Sequence, residues 1–354
     1  MRHHQKLIRA ALTAVVAIML VVRNSGAEDL IYNRLGEYLE HLRQQFGVPG
    51  LQAAVIGRNG ILWERAFGYQ DVEHSVAMRT DTPMHFDGLT ESFTASLVLR
   101  CVEEGRLSLN DRIGQFKASS PDATATILQV LTHNIGTPEI PTFAYQPERL
   151  ENLSTAVRTC TADSYRETLA NLLDQQAMID AVPGPDVVTL APPAEGILTA
   201  AVDRYRRILQ RLALPYSVDA QRRASVTQYA ATTLTPTAGL IGSVRDFAQF
   251  DTALRTGVIV RTDTLSAAWR APAAYPHGIG WFVQSYNGEN VVWQFGAGGG
   301  SANGSSSMSI TIPSKGVTLI LVANSGGLAK GFSLNTGDLT LSPFARVFLG
   351  LYLP

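Results

Sequence analysis

Apolar side chains recur at three- and four-residue intervals from Ile31 to Phe46, with Leu35, Tyr38, Leu39 and Leu42 on the same face. That period predicts an amphipathic helix over 30–46, and Gly47-Val48-Pro49-Gly50 ends it. Two short apolar runs, 51–56 and 61–66, then flank Asn59-Gly60, a pair whose left-handed preference marks a β-hairpin. Helical spacing returns over 89–104, closed by Gly105, and again over 126–132 and 163–176. Pro183, Pro185, Pro192 and Pro193 make 181–196 a loop. Over 243–256 the pattern is helical once more. Ser243 is placed as its N-cap, and Asp246, three residues later, sits in the capping-box position.

Beyond that helix the period shortens. Strands are expected at 280–285, 290–295 and 307–312; in the last, Met308, Ile310 and Ile312 alternate with Ser307, Ser309 and Thr311. The run 317–322 is apolar on both faces and so reads as a central strand. An apolar helix over 344–353 closes the chain, and no internal repeat or low-complexity segment interrupts the order. Helix, hairpin, helical middle, meander and final helix imply an α+β fold. Segments 28–85 and 240–354 would share one antiparallel sheet flanked by helices, with 86–239 as an inserted helical region.

The first residues alter the charge balance. Arg2, Lys6 and Arg9 precede an uncharged run from Ala10 to Val22, and Ser25-Gly26-Ala27 offers small residues at a cleavage site. This is the pattern of a secretory signal over 1–27, which places the mature chain in the periplasm or outside the cell. Thirteen apolar residues fall short of the ~30 Å of hydrocarbon that a helix must cross. No stable membrane anchor is therefore expected after cleavage, although Arg9 and Arg23 on either side leave an uncleaved anchor as the alternative. Losing Arg2, Lys6, Arg9 and Arg23 and no acid takes the formal charge from −1 to −5. A mildly acidic chain is not built to bind nucleic acid, which needs a basic surface. With 45% hydrophobic residues the chain is not disordered either. Two cysteines, Cys101 and Cys160, cannot make a disulfide framework. Cys101 lies in an apolar helical stretch and reads as a small buried hydrophobe, although export would permit a bridge.

Several short motifs, in this order, carry a resemblance. They are Gly47-Val48-Pro49-Gly50, Glu91-Ser92-Phe93-Thr94-Ala95, Leu131-Thr132-His133-Asn134-Ile135-Gly136 and Phe143-Ala144-Tyr145. Gly239-Leu240-Ile241-Gly242-Ser243, Gly278-Ile279-Gly280-Trp281 and Ala323-Asn324-Ser325 complete the set. From about residue 30 to 354 the chain resembles the penicillin-recognising serine hydrolases: class C β-lactamases, DD-peptidases and related esterases. The resemblance implies their fold. It also implies a chemistry that needs a nucleophilic Ser, a Lys three residues later, a Tyr-x-Asn element, and a Lys- or His-x-Gly strand beside the oxyanion hole.

The side chains that perform that chemistry are missing. Where the family reads Gly-Ser-x-Thr-Lys-x-Phe-Thr, this chain has Asp87-Gly88-Leu89-Thr90-Glu91-Ser92-Phe93-Thr94. Gly88 stands at the nucleophile position and Glu91 at the Lys position. The second motif reads Tyr145-Gln146-Pro147, so the Tyr is kept and the amide is lost. The third reads Gln294-Phe295-Gly296-Ala297, with a neutral amide in place of the cation. Only four Lys occur, Lys6, Lys117, Lys315 and Lys330, and the residues three before them are His3, Gly114, Ile312 and Gly327. No Ser-x-x-Lys exists anywhere in the chain. The covalent route is thereby removed, and the expected protein is a non-catalytic binder of a small molecule or cell-wall peptide. An active enzyme with relocated groups is the alternative, and a structural protein with a filled cleft is a third reading.

The remaining residues leave three uses for the first motif open. Gly88 as N-cap with Glu91 at N3 would make an ordinary helix start. Asp87 and Glu91 would otherwise floor the old cleft for a cationic or hydroxyl-rich ligand, or Glu91 would serve as a general base on water. Asp87, Gly88, Glu91, Tyr145, Gln294 and Ala297 are the ligand-binding candidates, with the N–H groups of 88 and 297 implied by the resemblance as a surviving oxyanion hole. Thr90 and Ser92 point about 200° and 40° from residue 88 at about 100° per residue and read as capping or packing groups. Thr132-His133 reads as structural, and Trp281, Trp293 and Phe295 as core or cleft wall. His74, His85, His133 and His277 lack ligand spacing, and Gly298-Gly299-Gly300 is followed by no Lys-bearing helix. Neither a metal nor a cofactor is expected.

Overall fold

Asn59 and Gly60 turn the chain between two strands as expected, Gly60 taking φ +123°. This hairpin forms one part of a seven-stranded sheet in the computed structural model. The structure describes residues 29–137, 140–190, 197, 199–272, 275–298, 304–329 and 331–354. The expected signal segment and residues 299–300 of the glycine run lie outside the described residues.

A helix over 29–45 (α1) leads into β1 (Gly50–Gly57), β2 (Gly60–Asp71), β3 (Val76–Ala77) and β4 (Met84–His85). The helical middle holds α2 (Thr90–Glu103), α3 (Ile127–Leu131), α4 (Leu153–Thr161), α5 (Tyr165–Gln175) and α6 (Thr199–Leu209). Short strands β5 (Val182–Pro183), β6 (Tyr216–Val218), β7 (Ala224–Val226) and β8 (Leu240–Gly242) are distributed through it. Next come α7 (Val244–Arg255), α8 (Thr262–Ala268), β9 (Phe282–Tyr286), β10 (Glu289–Ala297), β11 (Ser306–Ile312), β12 (Val317–Ala323) and α9 (Pro343–Tyr352).

The main sheet runs β3-β2-β1-β12-β11-β10-β9 and every pairing in it is antiparallel. The α+β architecture expected from the sequence is the one the chain forms. β12 lies between β1 and β11, which accounts for its apolar residues on both faces. Leu319 and Leu321 pack with Leu51, Val55 and the α1 and α9 residues Leu35, Leu39, Phe344 and Phe348. Ile320 and Val322 face the other way, into the core with Phe93 of α2 and Phe247 and Phe250 of α7. Strand alternation thus feeds two separate cores, one on each face of the sheet.

The α7 capping box forms as read: Ser243 N–H donates to Asp246 Oδ2 at 2.8 Å and Asp246 N–H to Ser243 Oγ at 3.3 Å. Other expectations need correction. Tyr38, placed on the buried face of α1, is 50% exposed. Helices α4, α6 and α8 were not foreseen, and β5 lies inside the stretch read as a loop. Cys101 and Cys160 form a disulfide, not a pair of free buried thiols. The bridge ties α2 to α4, and α4 was the missing clue: Leu153, Ala156, Val157 and Cys160 are buried on one helical face.

The bridge closes a loop of sequence separation 59, for which chain entropy gives about 4 kcal/mol. We expect the Cys101→Ala/Cys160→Ala variant to lose about 2–4 kcal/mol in denaturant unfolding. Wild type in reductant should lose a similar amount, and an unchanged midpoint would show that the bridge adds nothing.

Candidate active site

The residues matching the first motif sit where the small sheet meets the central helix. β4 pairs with β8, and Phe86 N–H donates to the Leu240 carbonyl at 2.9 Å. The chain then makes a 3₁₀ turn over Asp87–Leu89 and passes straight into α2. Asp87 takes φ +47°, in the left-handed region where the resembling families place Gly; Asp is among the few other residues that tolerate it. The reading of Gly88 as N-cap with Glu91 at N3 does not hold. The N-cap of α2 is Leu89 in helical conformation, with no side-chain cap. The preceding 3₁₀ turn continues the helix backwards, so no end is left at Gly88 to be capped.

Gly88 is packed against β10. A Cβ added there would lie 2.4 Å from the Phe295 carbonyl oxygen and 3.2 Å from Gly296 Cα. The approach is mutual, since a Cβ on Gly296 would meet Ser307 Oγ at 2.5 Å and Gly88 N at 2.7 Å. Two glycines on facing elements let the backbones touch, and the place of a nucleophilic side chain is occupied by strand backbone.

Glu91, 1% exposed, is surrounded by donors. Tyr145 Oη donates to Oε1 at 2.7 Å, and Gln294 Nε2 reaches Oε2 at 3.4 Å. His133 Nε2 lies 3.5 Å from Oε2. The Gln146 N–H donates to His133 Nδ1 at 3.2 Å, which leaves the ring proton on Nε2, facing Glu91. Gln294 is oriented likewise: its Oε1 accepts the Phe295 N–H at 2.9 Å. Burial pushes the Glu91 carboxyl up to about 8, against the hydrogen bond from Tyr145. Burial and the Arg149 charge bring His133 down to about 3, so its ring is neutral. Burial and the adjacent Glu91 raise Tyr145 well above its ordinary value, which makes this hydroxyl a donor and not a base.

A cavity of about 390 Å³ opens beside this network, within the usual range for small-molecule sites. Asp87, Gly88, Glu91, Tyr145, Pro147 and Ala297 line it, together with Phe295 and Gly298. Gln294 does not; it is fully buried behind the wall. Gly298 N–H donates to the Ser305 carbonyl at 3.0 Å while Ala297 pairs with Ser306. Alternation in an antiparallel ladder then turns the Ala297 N–H away from β11. The opposite wall was not foreseen. It comes from residues 230–238 and carries Thr232, Thr233, Thr235 and Thr237. Thr94 Oγ1 donates to the Pro236 carbonyl at 2.7 Å and Thr233 Oγ1 to Asp186 Oδ2 at 2.7 Å, holding this wall against α2 and the β5 region. The run of threonines in 232–237 was the available signal.

Asp87 is 2% exposed, and its Oδ2 has no hydrogen-bond partner. Burial pushes its carboxyl up to about 7, with the Ser305 hydroxyl opposing. Thr90 Oγ1 and Ser92 Oγ are buried without partners, as packed groups rather than reactive ones. His74 is exposed and pairs with Asp71, while His277 packs edge-on against His133 at 4.7 Å. Among the described residues, no three His, Cys, Asp or Glu are grouped to hold a metal. None of the described cavity-lining residues is a Lys or Arg. The arrangement can bind and exchange protons, but it offers no side-chain nucleophile where the motif would supply one.

A sheet backed by helices on both faces, with this cleft at the head of the central helix, defines the penicillin-recognising serine hydrolase class. The Beta-lactamase family model matches residues 35–339, and the chain belongs to that family. Protein flp of Staphylococcus aureus (strain N315) is 29% identical over 111 residues, covering 30% of this chain and 22% of that protein. The chain therefore matches about a fifth of that relative's length. In structure, the octameric penicillin-binding protein homologue from Pyrococcus abyssi has a TM-score of 0.71 at 19% identity, over 90% of this chain and 77% of that one. The class C beta lactamase from Rhodobacter sphaeroides gives 0.66 at 14% identity, over 90% and 98%. At these identities the two structures show a shared fold.

The buried carboxyls make stability depend on pH. Asp87 rises from 3.8 to about 7 and Glu91 from 4.5 to about 8, so between those values the folded state holds more protons than the unfolded one. Stability must then fall as pH rises through that window, by on the order of 4 kcal/mol per group at its top. We expect the Tm of wild type to fall between about pH 5 and pH 8.5 relative to an Asp87→Asn/Glu91→Gln variant. Parallel curves for the two proteins would contradict the assignment.

Proposed function

We propose that the protein is an exported, non-catalytic member of the family that uses the inherited cleft to bind a small molecule or cell-wall peptide. In this reading 1–27 is the signal segment. Residues 28–354 form the working unit, with sheet contributions from 28–85 and 240–354 and a helical region over 86–239. Among the described residues no helix is long and apolar enough to cross a membrane.

The observation that carries the reading is the space at Gly88. A Cβ there would stand 2.4 Å from the Phe295 carbonyl oxygen, so the nucleophile position has lost both its side chain and the room for one. The open cavity supports binding over a filled, purely structural cleft. The second reading, hydrolysis with Glu91 as general base, has one point in its favour: a carboxyl near pH 8 in a cleft suits proton transfer at neutral pH. Against it, donors occupy both Glu91 oxygens and no cationic side chain among the described lining residues would polarise an electrophile.

Intact-mass spectrometry after incubation with a penicillin or a fluorophosphonate should return the unmodified mass; an adduct would overturn the reading. The Gly88→Ser/Glu91→Lys variant should hydrolyse a chromogenic cephalosporin little if at all, because Pro147 and Gln294 remain. We also expect it to lose about 1–3 kcal/mol of stability as β10 is forced outward. Strong turnover by this variant would show that the second and third motifs matter less than argued.

A further inference from the structure

We propose that the cleft selects a compact ammonium ligand and that Asp87 is the group that pairs with the cation. This rests on the reading of the cleft as a reversible binding site. The resembling enzymes carry a Lys in the first motif and a Lys or His in the third. Here those positions are Glu91 and Gln294. One cation has become a carboxyl and the other a neutral amide, so the positive charge is gone and the cleft turns negative as Asp87 and Glu91 ionise.

Asp87 gives that negative charge a point of contact. It lines the cavity and is 2% exposed, and its Oδ2 makes no well-formed hydrogen bond; the Ser305 hydroxyl, itself unpaired, is its nearby polar group. A buried carboxyl oxygen without a donor is costly, and a ligand N⁺–H removes the cost. Glu91 is already matched by donors from Tyr145 and Gln294, so it adds to the field without being the contact. Tyr145 and Phe295 also line the cavity, and aromatic rings near a site favour a cation where their faces are reached. With no Lys or Arg among the described lining residues, no internal cation competes for Asp87, and a carboxylate ligand finds no counter-charge. The volume of about 390 Å³ suits a small molecule or one residue of a longer chain.

A matched set of probes tests the charge preference: benzylamine, benzyl alcohol and benzoate, titrated by NMR against the full-length protein. The measurement is made at about pH 8.5, above the value of about 7 to which burial brings Asp87. We expect saturable binding of benzylamine with a Kd of about 1 mM or tighter, and at least tenfold weaker binding of the alcohol and of benzoate. Asp87→Asn should weaken benzylamine binding by tenfold or more and leave the alcohol unchanged. Asn tolerates the left-handed backbone at φ +47°, so this variant keeps the turn; a Tm at about pH 5 no lower than that of wild type confirms that it folds. Equal affinity for the three probes, preference for benzoate, no saturable binding of benzylamine, or an Asp87→Asn variant that binds benzylamine as wild type would each overturn the inference. A penicillin adduct would instead remove the non-catalytic reading, whatever the amine does. Failure of the amine without an adduct removes only the charge preference.

Discussion

At Gly88 the turn that opens the central helix runs against β10 so closely that a Cβ would lie 2.4 Å from the Phe295 carbonyl oxygen. Everything around the cleft is arranged on that contact. It sets the first turn of α2 against the sheet and brings Glu91 under Gln294. It also leaves Asp87 at a positive φ with its side chain beside Gly296. The facing Gly296 is equally constrained, because a Cβ there would strike Ser307 Oγ at 2.5 Å and Gly88 N at 2.7 Å. A backbone joint of this kind accepts a side chain on either partner only if the facing strand moves.

The second consequence is electrostatic. A Lys at position 91 would face His133, Tyr145 and the Gln294 amide. A carboxyl there turns the same neighbours into a converging set of donors, with Tyr145 at 2.7 Å and the His133 Nε2 at 3.5 Å. The network is therefore coherent with the replaced residue and does not read as a damaged version of the enzyme site. Burial still opposes the charge and brings Glu91 to about 8. Asp87, with an oxygen left unpaired, is the less satisfied of the two. The pH dependence of stability thus traces to the pair of acids at the cleft floor.

Much of the fold was legible. The hairpin at Asn59-Gly60, the α7 capping box and the two-faced strand β12 follow from local rules of turn chemistry, capping and alternation. The misses have local reasons as well. The α4 face of Leu153, Ala156, Val157 and Cys160 is short, and α6 buries only Tyr205 and Ile208. Tyr38 stands 50% exposed because the sheet covers only the Leu35 and Leu39 side of α1. At the site, the absent nucleophile and the lost cations were visible as residue identities. The threonines of 232–237 were visible too, but their place as a wall of the cleft was not, since an irregular segment has no period by which to place it.

By itself the sequence determined which motif residues are absent: no Ser-x-x-Lys occurs, and Gly88, Glu91, Pro147 and Gln294 occupy motif positions. It determined the order of elements too, because periodicity is a property of neighbours along the chain. Only the tertiary structure decided what Glu91 does. Its partners Tyr145 and Gln294 lie 54 and 203 residues away, and hydrogen bonds over such separations leave no local pattern. The same holds for the Cys101–Cys160 bridge, which needs α2 and α4 side by side, and for the lack of room at Gly88. Whether a missing side chain leaves a space or a filled contact depends on which strand lies opposite, and only folding brings that strand there.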